Sequence, residues 1–222
     1  MEDNLPFIEL NFEKRCCEEM TERSKEFYDF MNKRRTVREI SSEELPDELI
    51  HNLILTAGTA PSGANIQPWK FCLIKDPEVK EKIRNEAEKL EERSYRELYS
   101  QRKKEDIAFT GTDWQKSFLT EAPALIVAFK EKYRIDEEGK HIPNYYPNES
   151  IGLALGMLFS AIHNAGLVTI PYTPHPINFL KKLLDRPDNE AAVMVLPIGY
   201  PKESAKVPDK KRKSLDEIMD VY

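Results

Sequence analysis

The chain is poor in the residues that most often declare a chemistry. It has three cysteines, Cys16, Cys17 and Cys72. An odd number, two of them adjacent, makes a poor disulfide framework, so a reducing, cytoplasmic compartment is the simpler expectation. No C-x-x-C pattern occurs, and the four histidines show no ligand spacing with one another or with cysteine, so no metal site is expected. There is no Gly-x-Gly-x-x-Gly and no Walker sequence, which removes support for a dinucleotide-type Rossmann site. Long apolar runs are missing too. The longest covers 151–162, short of the roughly 20 residues a bilayer-spanning helix needs. The N-terminal MEDNLPFIEL is acidic and carries no apolar core of a secretory signal. A soluble chain without a membrane partner is expected. Excess basic charge is absent as well: the net charge is −6, which argues against nucleic acid as a partner.

What is present is a chain of 222 residues, enough to bury a core. It reads as a single domain over 1–222, with an N-terminal arm at 1–16, a lid at about 91–116 and an extended C-terminal tail at 201–222. Residues 17–33 follow a helical pattern, with Met20, Phe27, Phe30 and Met31 as apolar anchors. A second helix starts near Pro46 and stops at Gly58, with Leu49, Ile50, Leu53 and Ile54 as its stripe. TAPSGANIQP (59–68) is a loop by composition, and WKFCLIK (69–75) reads as a buried strand holding a buried Cys72. Residues 76–105 are helix-prone, but the apolar face fades beyond Leu90, so 96–112 reads as a mobile insertion. ALIVAFK (124–130) is a second buried strand, 133–147 a loop, and 149–165 an apolar helix needing a core or a subunit interface. LVTIPY (167–172) and AAVMVLPIGY (191–200) read as strands around a short helix near 177–185, and the tail ends in a short helix. Strands scattered among helices give an α+β or α/β layout.

Three groups could carry chemistry. Arg34, Arg35, Thr36 and Arg38 form a dense cluster of forked cations and a hydroxyl, suited to a phosphate monoester. Alone, such a cluster is more often a solvated basic turn at a helix end. PSGANIQPW (61–69) can present backbone N–H groups to a ligand, although an ordinary turn is the plainer reading. Glu91 and Tyr95, four apart on a helix, share a face, and with Lys116 they could clamp a free amino acid. By composition alone that face would be a charged surface.

Taken in order, these pieces bring the sequence to a known family. NKRRTVREIS (32–41), TAGTAPSGANIQPW (56–69), EERSYRELY (91–99), TDWQK (112–116), NAGLVTIPYTP (164–174), LPIGYP (196–201) and VPDKKRKSLDEIM (207–219) resemble the nitroreductase-like flavoproteins and, within them, the iodotyrosine deiodinases. The resemblance runs from about residue 24 to the C-terminus. It implies an α+β nitroreductase-like fold: a central, mostly antiparallel sheet flanked by helices, in an intertwined homodimer with sites built from both chains. It implies FMN as cofactor, with Arg34, Arg35, Thr36 and Arg38 in the first binding segment and Arg212 reaching the phosphate side. Pro61, Ser62 and Gly63 match a loop beside the isoalloxazine ring, and Thr173 a hydroxyl donating to flavin N5 that favours single-electron steps. Ala64 matches a backbone N–H facing the substrate phenolate. Glu91, Tyr95 and Lys116 match the clamp on the amino acid zwitterion. The implied reaction is FMN-dependent reductive dehalogenation of 3-iodo-L-tyrosine and other halotyrosines, with electrons from NAD(P)H directly or through a reductase. The sequence departs from the family at Asn65, Ile66 and Gln67, where a His-Thr-Glu-type stretch is frequent, and at Pro171 and Tyr172, where threonines are. A general FMN nitroreductase would share the Arg cluster without needing the clamp. A flavin- or halotyrosine-binding protein would share both without turnover.

Overall fold

A computed structural model describes residues 7–111 and 113–222 of the chain. The chain divides into two units, residues 1–34 and 35–222. The first unit holds the end of the arm and helix α1 (Cys17–Asn32); the arm's first six residues and Thr112 lie outside the described residues. Helix α1 is supported along its own surface. Glu18 and Glu19 sit in its first turn, and Arg15–Glu19, Arg23–Glu19 and Lys25–Asp29 pair at i,i+4 spacing. The expected anchors do not bury. Met20 is 50% exposed and Phe27 61%, and no residue of α1 is buried. A helical period identifies an apolar stripe but not the surface that covers it.

The second unit is layered around a four-stranded antiparallel sheet of order β1-β2-β6-β5, from β1 (Trp69–Ile74), β2 (Ala124–Glu131), β5 (Val168–Thr169) and β6 (Glu190–Gly199). Strand β2 shows how both faces are used. Leu125, Val127 and Phe129 enter one core, while Ala124, Ile126 and Ala128 enter the other, as the two-residue period requires. Helices α2 (Asp47–Gly58) and α6 (Pro147–Asn164) cover the second face, through Ile50, Leu53 and Ala57 on α2 and Ile151, Leu155, Leu158 and Ile162 on α6. Helix α3 (Pro77–Arg93), the short α5 (Phe118–Glu121) and α7 (Phe179–Leu183) cover the first. Asp76 caps α3 by accepting from Glu78 N at 2.8 Å and Val79 N at 3.1 Å, with Pro77 at the first helical position, where its missing N–H costs nothing.

Several expectations are corrected here. WKFCLIK is an edge strand, so β1 and Cys72 are only half-buried. The expected loop at 133–147 contains a hairpin, β3 (Tyr133–Ile135) with β4 (His141–Pro143), strands too short to show a sequence period. LVTIPY pairs only at Val168 and Thr169, because Pro171 has no N–H; Tyr172 then rejoins β6 at Val195 through a 2.9 Å and a 2.8 Å backbone bond. Within the expected insertion, α4 (Gln101–Ala108) forms a helix capped by Ser100 Oγ, which accepts from Lys103 N at 3.2 Å. Helix α6 starts at Pro147 and is one-sided: Leu153 is 51% exposed. No helix among the described residues is long and apolar enough to cross a membrane.

Candidate active site

The site begins at the segment that follows α1. Arg34 closes the turn after α1, its N–H bonded to Met31 O at 3.1 Å. Beyond it the chain is extended. Thr36 pairs in parallel with Thr169 of β5, Val37 N–H donates to Thr169 O at 3.1 Å, and Ile40 pairs with Pro201. Gly199 permits this path, since a Cβ there would lie 2.6 Å from Ile40 Cγ2. Val37 and Ile40 are buried. The Arg35 guanidinium donates to Pro208 O, bringing the tail that carries Arg212 back to this segment. Arg212 itself is exposed and engaged in contacts of its own. Arg38 is different. Its Nε is buried with no hydrogen-bond partner, and burial lowers its pKa. The hydroxyl of Thr169, the pairing partner of Thr36, is also buried and unpartnered.

The loop after α2 is wound tightly. Asn65 N–H donates to Ser62 O at 3.0 Å, Ile66 N–H to Gly63 O at 3.1 Å and Gln67 N–H to Ser62 Oγ at 2.9 Å. Ala64 lies exposed at its apex with φ 49°, a left-handed conformation, and Asn65 and Gln67 share it at φ 53°. Such backbone costs roughly 1–2 kcal/mol per non-glycine residue and persists where surroundings impose it. Part of that imposition is visible. Gly63 lies so close to the start of α6 that a Cβ would be 2.8 Å from Tyr145 Cβ and 3.2 Å from Tyr145 O. Pro61 precedes this loop and is exposed.

The third group departs most from its composition. Helix α3 runs into a π turn, Ser94–Leu98, closed by Tyr99 N–H to Ser94 O at 2.9 Å. π turns concentrate at functional sites because they re-aim side chains. Glu91 and Lys116 are not solvated surface: they are 9% and 3% exposed. Lys116 Nζ stands 4.0 Å from Glu91 Oε2 and donates to Asp113 O, while Lys116 N–H donates to Glu88 Oε1 at 2.6 Å. Burial lowers the Lys116 pKa; Glu91 and Asp113 oppose that shift, and the nearby Arg38 adds to it. Tyr95 Oη is buried and unpartnered, and burial, then the Glu91 charge, raise the phenol to about 12. It stays a neutral donor at any ordinary pH. The structure thus brings Glu91, Tyr95 and Lys116 into one neighbourhood, with Arg38 at its edge.

A fourth member was not assigned a role from the sequence. Tyr172 Oη donates to Glu91 Oε1 at 3.4 Å, and Lys116 Nζ lies 5.9 Å from its ring centre. The only sequence signal was a tyrosine where relatives have a hydroxyl amino acid. Thr173, next in the chain, is exposed. Between the lid and the segment of Arg38 lies a cleft of about 490 Å³, lined by Arg38, Asp113, Gln115, Ser117, Phe118 and Lys202 among others.

Residues 31–200 match the model of the nitroreductase family. An iodotyrosine deiodinase of Haliscomenobacter hydrossis is 49% identical over 98% of this chain and 97% of its own. The human iodotyrosine deiodinase 1 is 46% identical over 98% of this chain and 74% of its own. Among solved structures, an oxidized iodotyrosine deiodinase bound to FMN and 3-iodo-L-tyrosine superposes with a TM-score of 0.76 at 33% identity, over 85% of this chain and 96% of that one. A nitroreductase-like protein of Streptococcus mutans, 19% identical with a TM-score of 0.65 over 90% of this chain and 99% of its own, shares the fold. Sequence and architecture agree: the chain belongs to the nitroreductase family and, within it, to the iodotyrosine deiodinases.

Proposed function

We propose that this protein is an FMN-dependent reductive dehalogenase that converts 3-iodo-L-tyrosine, and other halotyrosines, to tyrosine and halide. The observation carrying this reading is the buried Glu91–Lys116 pair beside the unpartnered Tyr95 hydroxyl. Two opposite charges are expensive to desolvate, and a pair 4.0 Å apart recovers only part of that cost. A zwitterion uses both: its ammonium meets Glu91, its carboxylate meets Lys116, and Tyr95 supplies a neutral donor. A general nitroreductase has no use for such a pair.

The residues present fit FMN. A phosphate and an electron-rich ring edge would satisfy the buried Arg38 Nε and Thr169 hydroxyl. Arg34, Arg35, Thr36, Arg38 and Arg212 would hold the phosphate end, Pro61, Ser62 and Gly63 the ring, and Thr173 would donate to N5. Bound and reduced, FMN supplies the two electrons that, with one proton, turn an aryl iodide into an aryl hydrogen and iodide. The chain does the rest. Ala64 N–H, at the apex of its strained loop, would face the phenolate oxygen, as an oxyanion donor does. The clamp fixes the other end of the substrate, and closure of residues 91–116 over it excludes water. The electrons come from NAD(P)H, directly or through a reductase. The exposed apolar face of α6, with Leu153 at 51% exposure, supports a homodimer that completes each site. The free thiols support a cytoplasmic setting.

The test is direct. FMN-loaded protein reduced by dithionite releases iodide from 3-iodotyrosine; no release overturns the reading. A Glu91→Gln variant loses about a hundredfold in kcat/KM for 3-iodotyrosine relative to a nitroarene, as expected when one partner of a buried charge contact is removed. An equal loss for both substrates would favour the nitroreductase reading.

A further inference from the structure

Tyr172 is fixed through both its backbone and its ring. Its backbone N–H and C=O both bond to Val195 on the central strand β6, at 2.9 and 2.8 Å. Its ring, 6% exposed, meets Phe118 edge-on, with centroids 5.5 Å apart at 78°. From this position its hydroxyl donates to Glu91 Oε1 at 3.4 Å, while Lys116 faces the other oxygen, Oε2, at 4.0 Å. The two contacts divide the carboxylate between a neutral, immobile donor and a cation that the substrate carboxylate would draw away.

Resting on the proposed deiodinase reading, we propose that Tyr172 is a positioning residue setting the preference for the zwitterionic amino acid: it anchors Glu91 by Oε1, so that Oε2 exchanges Lys116 for the substrate ammonium. Without this anchor, Glu91 would follow Lys116 when the pair opens, and the ammonium would meet a carboxylate of unfixed orientation. Burial, then the Glu91 charge, push the Tyr172 phenol above its ordinary value, so the anchor remains a donor throughout the working range. Its effect is on binding and discrimination, not on the chemical step. The position also precedes Thr173 directly, which ties the amino acid end of the site to the segment assigned to the flavin.

The experiment uses FMN-loaded Tyr172→Phe, which keeps the ring against Phe118 and removes only the hydroxyl. Steady-state rates with 3-iodotyrosine and with 2-iodophenol, which lacks the amino acid, are compared with wild type. The variant loses about tenfold in kcat/KM for 3-iodotyrosine relative to 2-iodophenol, through KM rather than kcat, as loss of a hydrogen bond to a charged group implies. Calorimetric titration of the oxidised protein with 3-iodotyrosine shows the same tenfold rise in Kd. On a Glu91→Gln background the substitution has little further effect, because the anchored group is gone. An equal loss for both substrates, a loss confined to kcat, or additivity with Glu91→Gln would overturn the inference. Failure of wild type to release iodide would instead overturn the reading on which it rests.

Discussion

At the scale of single residues, two charges carry most of the argument. Glu91 and Lys116 sit in a stretch so rich in Glu and Lys that solvation is the default expectation, yet both are buried and face each other. Removing one should therefore cost more than removing both. Lys116→Met leaves the Glu91 carboxylate desolvated without its cation, and urea unfolding of the ligand-free protein should show a loss of about 3 kcal/mol. Glu91→Gln combined with Lys116→Met should recover part of that loss. A double variant as unstable as the sum of the singles would mean that the pair is not coupled. The spacing of Glu91 and Tyr95 was legible because helical geometry is local. Their burial was not, because it depends on α5 and Tyr172, which begin 27 and 81 residues beyond Glu91 in sequence.

At the scale of elements, the loop between α2 and β1 shows how backbone strain is imposed from outside. Composition marks residues 59–68 as a turn, but it does not give a left-handed alanine at its apex. Part of what imposes that conformation is the approach of Tyr145 to Gly63. Two substitutions of one atom group should then have opposite signs. Ala64→Gly relieves roughly 1–2 kcal/mol of strain against about 0.4–1 kcal/mol of added unfolded-state entropy, so the melting temperature should rise slightly. Gly63→Ala forces a Cβ to 2.8 Å from Tyr145 Cβ and to 3.2 Å from a carbonyl oxygen that cannot step aside. It should lower stability by about 1–3 kcal/mol and reduce the FMN content of purified protein, read from the flavin absorbance. A Gly63→Ala protein with full flavin would show that the loop does not approach the cofactor.

At the scale of the whole molecule, α6 turns Leu153 outward beside Gly152 and Gly156, where open space lies. Light scattering should give a particle of about twice the 25.8 kDa chain mass. Leu153→Arg should shift it toward the monomer and release FMN, if both chains complete the site. A flavin-loaded monomer would exclude that assembly.

By itself the sequence determined the local decisions. Continuous apolar runs at 124–130 and 191–200 became the central strands, and the i, i+3, i+4 stripe on α2 became its buried face. The phosphate role expected of Arg35, Thr36 and Arg38 came from the family resemblance, because a cluster that dense, taken alone, is more often a solvated basic turn at a helix end. Only the tertiary structure decided which of these groups were desolvated. It left Arg38 Nε and the Tyr95 hydroxyl buried without partners, drew the tail onto Arg35, and set Tyr172 against Glu91. Those are long-range events, and the pKa of a group, the orientation of a carboxylate and the cost of an unpaired charge depend on what surrounds the side chain rather than on what precedes it in the chain.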